Sequence, residues 1–272
     1  MSTVPRALRG GGIVNMLRTI TLATIGLAAC CAALAQTPLR VAAAADLEPV
    51  LPPILDQFSQ ATGIAAEATY QASATLTTQI ENGAPFDVFF SADASYPQRL
   101  IGEHLADGGS ASPQAPLTYA RGTLVLWTRH DAALPPPSLK LLRSPALRRL
   151  AIANPDRAPY GRAAVAALTS LNLYDALKPR LVIASNIAQT AQYVDSGNAD
   201  AGLISLTSAL TPRLAANGTY FVMPRDLYPP IEQGAAIMAH SAQRAAAQQL
   251  LDFILSPPVQ AQLVKSGLTP VK

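Results

Sequence analysis

Residues 71–93, QASATLTTQIENGAPFDVFFSAD, decide the fold of this chain. Small hydroxyl residues open the stretch, and Ser73 or a near neighbour is expected to cap a short helix. That helix ends at Gly83 and Pro85, because glycine accepts a left-handed conformation and proline cannot continue a helix. The apolar run at 88–90 is typical of a strand that is covered on both faces. The stretch therefore predicts a helix–turn–strand unit of an open α/β sheet.

The two ends of this unit favour the binding of a small anion. The first turn of a helix leaves backbone N–H groups without partners inside the helix. Residues 91–93, Ser-Ala-Asp, follow the carboxyl end of the strand, which is where open α/β sheets bind ligands. Uncharged donors beside a helix N-terminus suit an anion. We therefore expect a small-anion site at this edge of the sheet.

The same residues resemble the signature of a known family. Between residues 73 and 93 the chain has the pattern S-x-T-L-x-x-Q-I-x-x-G-A-P-x-D-V-F-x-S-A-D. This pattern is similar to the central signature of the periplasmic molybdate-binding proteins of ABC transporters, and the resemblance extends over nearly all of residues 39–272. It implies an α/β, two-lobed, periplasmic-binding-protein-like fold of type II. In that fold each lobe is a mostly parallel sheet flanked by helices, and the ligand cleft lies between the lobes.

The rest of the sequence alternates between strand and helix patterns, as expected for parallel sheets with helical crossovers. Residues 117–128 are predicted to form one long strand, and the first crossover between the lobes is expected near residues 116–121. With the resemblance, this implies that lobe I comprises residues 36–118 and 224–272. Lobe II then comprises residues 119–223.

The beginning of the chain is predicted to be a signal peptide, residues 1–35, that is cleaved from the mature protein. No charged residue lies between Thr19 and Ala35, and Ala33-Leu34-Ala35 fits the small-x-small pattern of a cleavage site. We therefore expect cleavage after Ala35 and a periplasmic location. The alternative is a lipoprotein anchored at Cys30, since the residues that end there, Leu-Ala-Ala-Cys, match a bacterial lipoprotein box.

The composition argues against several kinds of partner. The full sequence has 20 Lys and Arg against 17 Asp and Glu, but the leader contains three arginines and no acid. The mature chain therefore has no net charge, whether translation begins at Met1 or Met16, and this gives no support for nucleic-acid binding. Both cysteines also lie in the leader, and the three histidines match no metal motif. No cofactor is expected.

The resemblance also implies which residues hold the ligand. Carried over by position, a tetrahedral oxyanion would be bound by Asp46, Ser73 and Ala92 from the first lobe and by Ile187 and Ser205 from the second. These residues would hold the oxygens of the anion, with no direct ligand to its metal. Asp46 stands where a serine is familiar, and we expect it to cap its helix and to offer only its backbone N–H. Ser205 stands where a tyrosine is familiar, and its shorter side chain would need a water molecule to reach the anion.

The function that follows is capture of molybdate, and also of tungstate, in the periplasm and delivery to an ABC importer. The expected partners are the oxyanion and an inner-membrane permease, and the expected state is a monomer without enzymatic activity. Asp46 and Ser205 leave open a binding protein for another small anion, such as sulfate or an organic acid. A hydrolase that uses Ser73 or Ser205 would need a histidine and an acid as partners. A cytoplasmic ligand sensor is disfavoured by the signal peptide.

Overall fold

The computed structural model describes residues 1–3 and 37–270, and its fold belongs to one unit, Pro38–Lys272. The strands are β1 (Leu39–Ala44), β2 (Ala66–Gln71), β3 (Val88–Ser91), β4 (Ala106–Asp107), β5 (Leu117–Gly122), β6 (Leu124–Arg129), β7 (Leu150–Ala153), β8 (Leu181–Ala184), β9 (Ala201–Ser205), β10 (Gly218–Val222) and β11 (Ile231–Met238). The helices are α1 (Leu51–Thr62), α2 (Ser73–Glu81), α3 (Ser95–Gly102), α4 (Pro159–Ser170), α5 (Tyr174–Leu177), α6 (Ile187–Asp195), α7 (Leu206–Ala209), α8 (Pro212–Asn217), α9 (Arg244–Leu255) and α10 (Pro257–Lys265). Apart from residues 1–3, the predicted signal peptide and its cleavage site lie outside the described residues.

The first sheet contains the signature unit. Its strand order is β2-β1-β3-β11-β4, and β5 pairs with β11 beside this path. Strand β1 is parallel to β2 and β3, whereas β11 is antiparallel to β3, β4 and β5. The apolar run that predicted a doubly covered strand is β3, whose residues are all buried. The carboxyl ends of β1, β2 and β3 therefore lie at one edge of this sheet.

The second sheet has the order β10-β6-β9-β7-β8. Strand β7 is parallel to β8 and β9, and β6 is antiparallel to β9 and β10. The predicted α/β fold with two sheets is confirmed. Each sheet is mostly parallel, as predicted, because one strand in each, β11 in the first and β6 in the second, runs against all the others.

The prediction of one strand over residues 117–128 is wrong. Residues 117–122 pair with β11 in the first sheet, and residues 124–129 pair with β9 and β10 in the second, so the chain changes sheets at Thr123. A sequence pattern that favours a strand does not encode where the strand changes partners, which explains the error. The division into lobes at residues 118 and 224 stays a prediction.

Candidate functional site

A small cavity lies where the ends of the two sheets approach each other. It has a volume of about 10 Å³ and is lined by eleven residues. From the first sheet these residues follow β1, β2 and β3, and from the second they follow β7 and β8. Four of the five predicted site residues are among them, Asp46, Ser73, Ala92 and Ile187, and all four are buried. The structure therefore brings together residues that lie more than a hundred positions apart in the sequence.

Three helices begin at this cavity, and their N-terminal ends set its electrostatic character. Ser73 is the first residue of α2, Pro159 the first of α4 and Ile187 the first of α6. Each N-terminus carries a partial positive charge from the aligned peptide dipoles. The eleven lining residues include no lysine, arginine or histidine, and Asp46 is the one carboxylate. An anion in this cavity would thus be stabilised by dipoles and hydrogen-bond donors rather than by a cation.

Ser73 is held at the cavity by a hydrogen bond, but it does not cap its helix. Helix α2 begins at Ser73 itself, and its N-cap, Ala72, forms no side-chain cap hydrogen bond, so the predicted cap is wrong. The Ser73 Oγ atom instead accepts the backbone N–H of Ala92 at 3.1 Å. This bond leaves the hydroxyl hydrogen of Ser73 as a donor. The predicted direct contact between the Ala92 N–H and the ligand stays a prediction, since that N–H is bonded to Ser73 in this structure.

Ile187 presents its backbone at the start of α6. The N-cap of this helix is Asn186, whose side chain accepts the N–H of Gln189 at 2.8 Å. Because the cap bonds the third residue of the helix, it does not use the N–H of Ile187. That N–H lies in the first turn at the cavity, where it can serve an anion.

Asp46 does not have the role that the sequence suggested. It lies in a short 3₁₀ turn, Ala45–Leu47, whose N-cap is Ala44, and helix α1 has Val50 as its N-cap, so Asp46 caps neither element. Its Oδ2 atom accepts a hydrogen bond from the Tyr160 hydroxyl at 3.1 Å and another from the Gln233 side-chain amide. The carboxyl group is therefore directed into the protein, toward residues far along the chain.

Ser205 is the one predicted site residue that does not line the cavity. It is the N-cap of α7, where its Oγ accepts the N–H of Ser208 at 3.2 Å and donates to the Ser208 hydroxyl at 2.9 Å. Thr207 Oγ1 lies 2.9 Å from Ser205 Oγ and donates to the backbone carbonyl of Asp46 at 2.8 Å. Ser205 is thus connected to the site through Thr207, and its direct contact with a ligand stays a prediction.

Tyr160 is a site residue that the sequence reasoning missed. The sequence indicates only that it lies near the start of a helix. In the structure Tyr160 is buried and lines the cavity, and its hydroxyl donates a hydrogen bond to Asp46. Burial raises the pKa of the Tyr160 phenol well above its usual value, so the hydroxyl keeps its proton and acts as a donor. A tyrosine in the first turn of a helix that follows a buried strand was the available signal.

Burial raises the pKa of Asp46 from 3.8 to about 6. The cause is desolvation of the carboxylate, which the donors from Gln233, Tyr160 and the residue's own backbone oppose only in part. The folded protein therefore binds this proton more tightly than the unfolded chain. The resulting stabilisation is fully present below about pH 4 and is lost as the pH rises through about 6.

Replacing Asp46 with asparagine is expected to stabilise the unliganded protein near pH 7.5 and to have little effect near pH 4. The gain at the higher pH is about 3 kcal/mol, since two pKa units correspond to that free energy and asparagine carries no charge to desolvate. Urea unfolding of both proteins at the two pH values measures the difference directly. An equal difference at both pH values would contradict the elevated pKa of Asp46.

Arg162 connects the two sides of the cleft next to the cavity. It lies on α4, and its guanidinium donates to the Tyr96 hydroxyl at 2.8 Å and forms an ion pair with Asp93, which follows β3. A second bridge is the hydrogen bond from the Ala74 N–H to the Arg157 carbonyl oxygen, at 3.1 Å. These contacts close over a cavity with room for about one water molecule. An anion larger than a water molecule can therefore enter only if the elements of the two sheets that these contacts join move apart.

Other parts of the described chain offer weaker candidates. A groove of about 620 Å³ lies along α6, α7 and α8 and contains none of the predicted site residues. Within residues 37–270 no group of three His, Cys, Asp or Glu side chains could hold a metal ion. Over the same range, no helix has the length and apolar character needed to cross a membrane.

Comparison with known proteins places these features in context. Residues 39–269 match the family described as bacterial extracellular solute-binding protein. The molybdate-binding protein ModA of Azotobacter vinelandii is 36% identical over 243 residues, which are 89% of this chain and 93% of that protein. ModA of Rhodobacter capsulatus is 36% identical over 210 residues, which are 77% of this chain and 79% of that protein. The solved structure of the Azotobacter vinelandii periplasmic molybdate-binding protein superposes with a TM-score of 0.79 at 33% identity, over 86% of this chain and 100% of that one.

Proposed function

The chain belongs to the family of bacterial extracellular solute-binding proteins, and from this we propose that it captures molybdate in the periplasm for an ABC importer. The observation that carries the proposal is the convergence of Asp46, Ser73, Ala92 and Ile187 on one buried cavity at three helix N-termini. The two molybdate-binding relatives that are 36% identical to this chain support the choice of ligand. Tungstate has the same charge and tetrahedral shape, so we propose that it binds as well.

The donors at the cavity suit a fully deprotonated tetrahedral dianion. The Ser73 hydroxyl and the Ile187 N–H approach from different elements, so they can serve different oxygens of the anion. A helix N-terminus contributes about 0.3–2 kcal/mol toward an anion, and three such ends act here. Where Asp46 is protonated, hydrogen phosphate would leave its own proton facing donors, which costs about 1–3 kcal/mol. We propose that discrimination against sulfate comes from the size of the closed cavity, since the oxygens of sulfate lie closer to the central atom than those of molybdate.

Closure of the two sides over the anion completes the proposed mechanism. We propose that the two sheets form the cores of lobes I and II, and that the lobes separate to admit molybdate. Arg162 and its partners Asp93 and Tyr96 then hold the closed form. The closed form is the state that would dock on a permease of the inner membrane, and a monomer suffices for this role.

The export route belongs to the proposal as well. An extracellular solute-binding protein needs a leader, and cleavage after Ala35 would release it into the periplasm, whereas lipidation at Cys30 would anchor it. The intact mass of the protein isolated from the periplasm distinguishes a chain that begins at Gln36 from one that begins with a lipid-modified Cys30.

Thermal unfolding of residues 36–272 with molybdate, tungstate, sulfate or phosphate tests the proposed function. A ligand at about 100 times its Kd adds about 2.7 kcal/mol of stability. For a chain of this size the midpoint should rise by about 5–10 °C with molybdate and tungstate. Sulfate and phosphate should leave the midpoint unchanged at the same concentration. A rise with sulfate alone would instead identify the protein as a carrier of a smaller oxyanion, and a rise with none would refute oxyanion capture.

A further inference from the structure

We propose that molybdate binds together with one proton, which lies on Oδ1 of Asp46 and is donated to an oxygen of the anion. This inference rests on the proposed function and extends it, because it assigns to Asp46 the part of a proton-carrying donor that sets specificity and pH dependence. The two oxygens of this buried carboxyl group have different surroundings.

The Oδ2 atom of Asp46 is fully occupied by donors. It accepts the Tyr160 hydroxyl at 3.1 Å and the side-chain amide of Gln233. The orientation of that amide is set by Tyr119, whose hydroxyl donates to Gln233 Oε1 at 2.8 Å and so directs the NH₂ group toward Asp46. Burial raises the pKa of the phenols of Tyr119 and Tyr160 well above the usual range, so both remain protonated donors. Two donors use both lone pairs of Oδ2, and a proton on this carboxyl group must therefore lie on Oδ1.

The Oδ1 atom, unlike Oδ2, accepts no hydrogen bond from the described residues. It is buried, and it belongs to a side chain that lines the cavity. An ionised carboxylate would place a second negative charge next to the oxyanion in a buried cavity, and the repulsion there is strongly unfavourable. A protonated carboxyl group instead supplies an O–H donor, and the oxyanion supplies the acceptor that the protein lacks. The geometry thus favours the protonated form in the complex.

The surroundings of Asp46 provide no charge that would hold it ionised. Tyr160 faces it from α4, Tyr119 from β5 and Gln233 from β11, and all three side chains are uncharged. From α7 the Thr207 hydroxyl bonds the Asp46 backbone carbonyl, and α2 and α6 present Ser73 and Ile187 to the same cavity. Glu48, two residues further along, is exposed.

The charge state of Asp46 therefore depends on its burial and on whether the anion is bound. Desolvation raises the pKa of Asp46 to about 6 in the unliganded protein. A bound dianion would raise it further, because the charged form of Asp46 is repelled by the anion. At neutral pH most unliganded molecules are ionised at Asp46, so binding of molybdate must take up about one proton.

The measurement is the Kd for molybdate as a function of pH, by titration calorimetry of the mature chain in buffers with different enthalpies of ionisation. We expect the Kd to be nearly constant below about pH 6 and to weaken toward tenfold per pH unit above it, with uptake of about one proton near pH 8. Asp46→Asn places an NH₂ donor where the protonated Oδ1 lies and leaves its carbonyl oxygen for Tyr160 and Gln233. This variant should therefore bind molybdate at pH 8 more tightly than the wild type, with no proton uptake.

Glu48→Gln is the matched control, because it removes an exposed carboxylate from the same turn. It should retain the pH slope and the proton uptake of the wild type. Molybdate binding by the wild type with a constant Kd from about pH 6 to 8 and no proton uptake overturns this inference and leaves the proposed function intact. A folded Asp46→Asn protein that no longer binds molybdate also overturns it, since a required carboxylate is then ionised. Absence of molybdate binding at every pH overturns the proposed function and this inference together.

Discussion

Replacing Ser73 with alanine is expected to weaken molybdate binding by about 10- to 100-fold. A buried hydrogen bond to a charged group contributes about 1.5–3 kcal/mol, and each 1.4 kcal/mol is a factor of ten in Kd. Ser73 is 1% exposed and begins α2, so no solvent water replaces the donor that the anion loses. The change also removes the acceptor of the Ala92 N–H. In the variant that N–H is free to donate to the ligand directly. Calorimetric titration of molybdate into both proteins measures the effect.

Ser95→Ala is the control for this experiment. Ser95 is likewise the first residue of a helix, α3, but it is exposed and lies outside the cavity. Its loss should leave the Kd unchanged within a factor of about two, as expected of a surface substitution. A Ser73→Ala protein that binds molybdate like the wild type would show that the hydroxyl does not contact the anion, and would leave the helix dipoles as the main source of affinity.

Replacing Gly161 with alanine is expected to destabilise the protein by about 3 kcal/mol and to impair molybdate binding. A Cβ atom at this position would lie 2.3 Å from the carbonyl oxygen of Ala153 and 2.8 Å from two backbone carbon atoms. Backbone atoms at the end of a buried strand cannot move aside as a flexible side chain can, so α4 must shift. Tyr160 is the preceding residue, and its hydroxyl would move away from Asp46.

Thermal unfolding should show the destabilisation as a fall in Tm of about 6–12 °C. Gly102→Ala is the matched control, since Gly102 ends helix α3 and a Cβ there would have nothing within 4 Å. That variant should be as stable as the wild type or slightly more stable, because alanine restricts the unfolded chain more than glycine does. Equal stability of the two variants would show that α4 can move without cost, and the close packing of α4 on β7 would then have no energetic importance.

The part of the site that could be predicted consists of residues with a local role. Ser73 and Ile187 start helices, and Ala92 follows a strand, so each position is marked by its own neighbours in the sequence. Asn186 caps α6 as its residue type suggests. Propensity and periodicity act over a few residues, and the carboxyl ends of neighbouring parallel strands meet at one edge. The family resemblance, carried over by position, named four residues that line one cavity, and local patterns mark three of them, Ser73, Ala92 and Ile187.

Long-range contacts account for what was missed. Asp46 was expected to cap a helix, but its carboxyl group bonds Tyr160, which is 114 positions away, and Gln233, which is 187 positions away. The contact of Ser205 with a ligand stays a prediction, because in this structure its hydroxyl bonds Ser208 within the first turn of α7. Nothing near Asp46 in the sequence indicates these partners, because they become its neighbours only in the folded protein.

The sequence by itself determined the α/β class, the order of the elements around the signature stretch and the family to which the chain is similar, since these follow from local patterns of apolar and turn-forming residues. Only the tertiary structure decided where the strand over residues 117–128 divides between two sheets, which oxygen of Asp46 is left without a partner and how Tyr160 joins the site. The physical reason is burial. The proton affinity of a carboxyl group and the usefulness of a hydroxyl depend on the water and donors around them, and those surroundings exist only after the two sheets have come together.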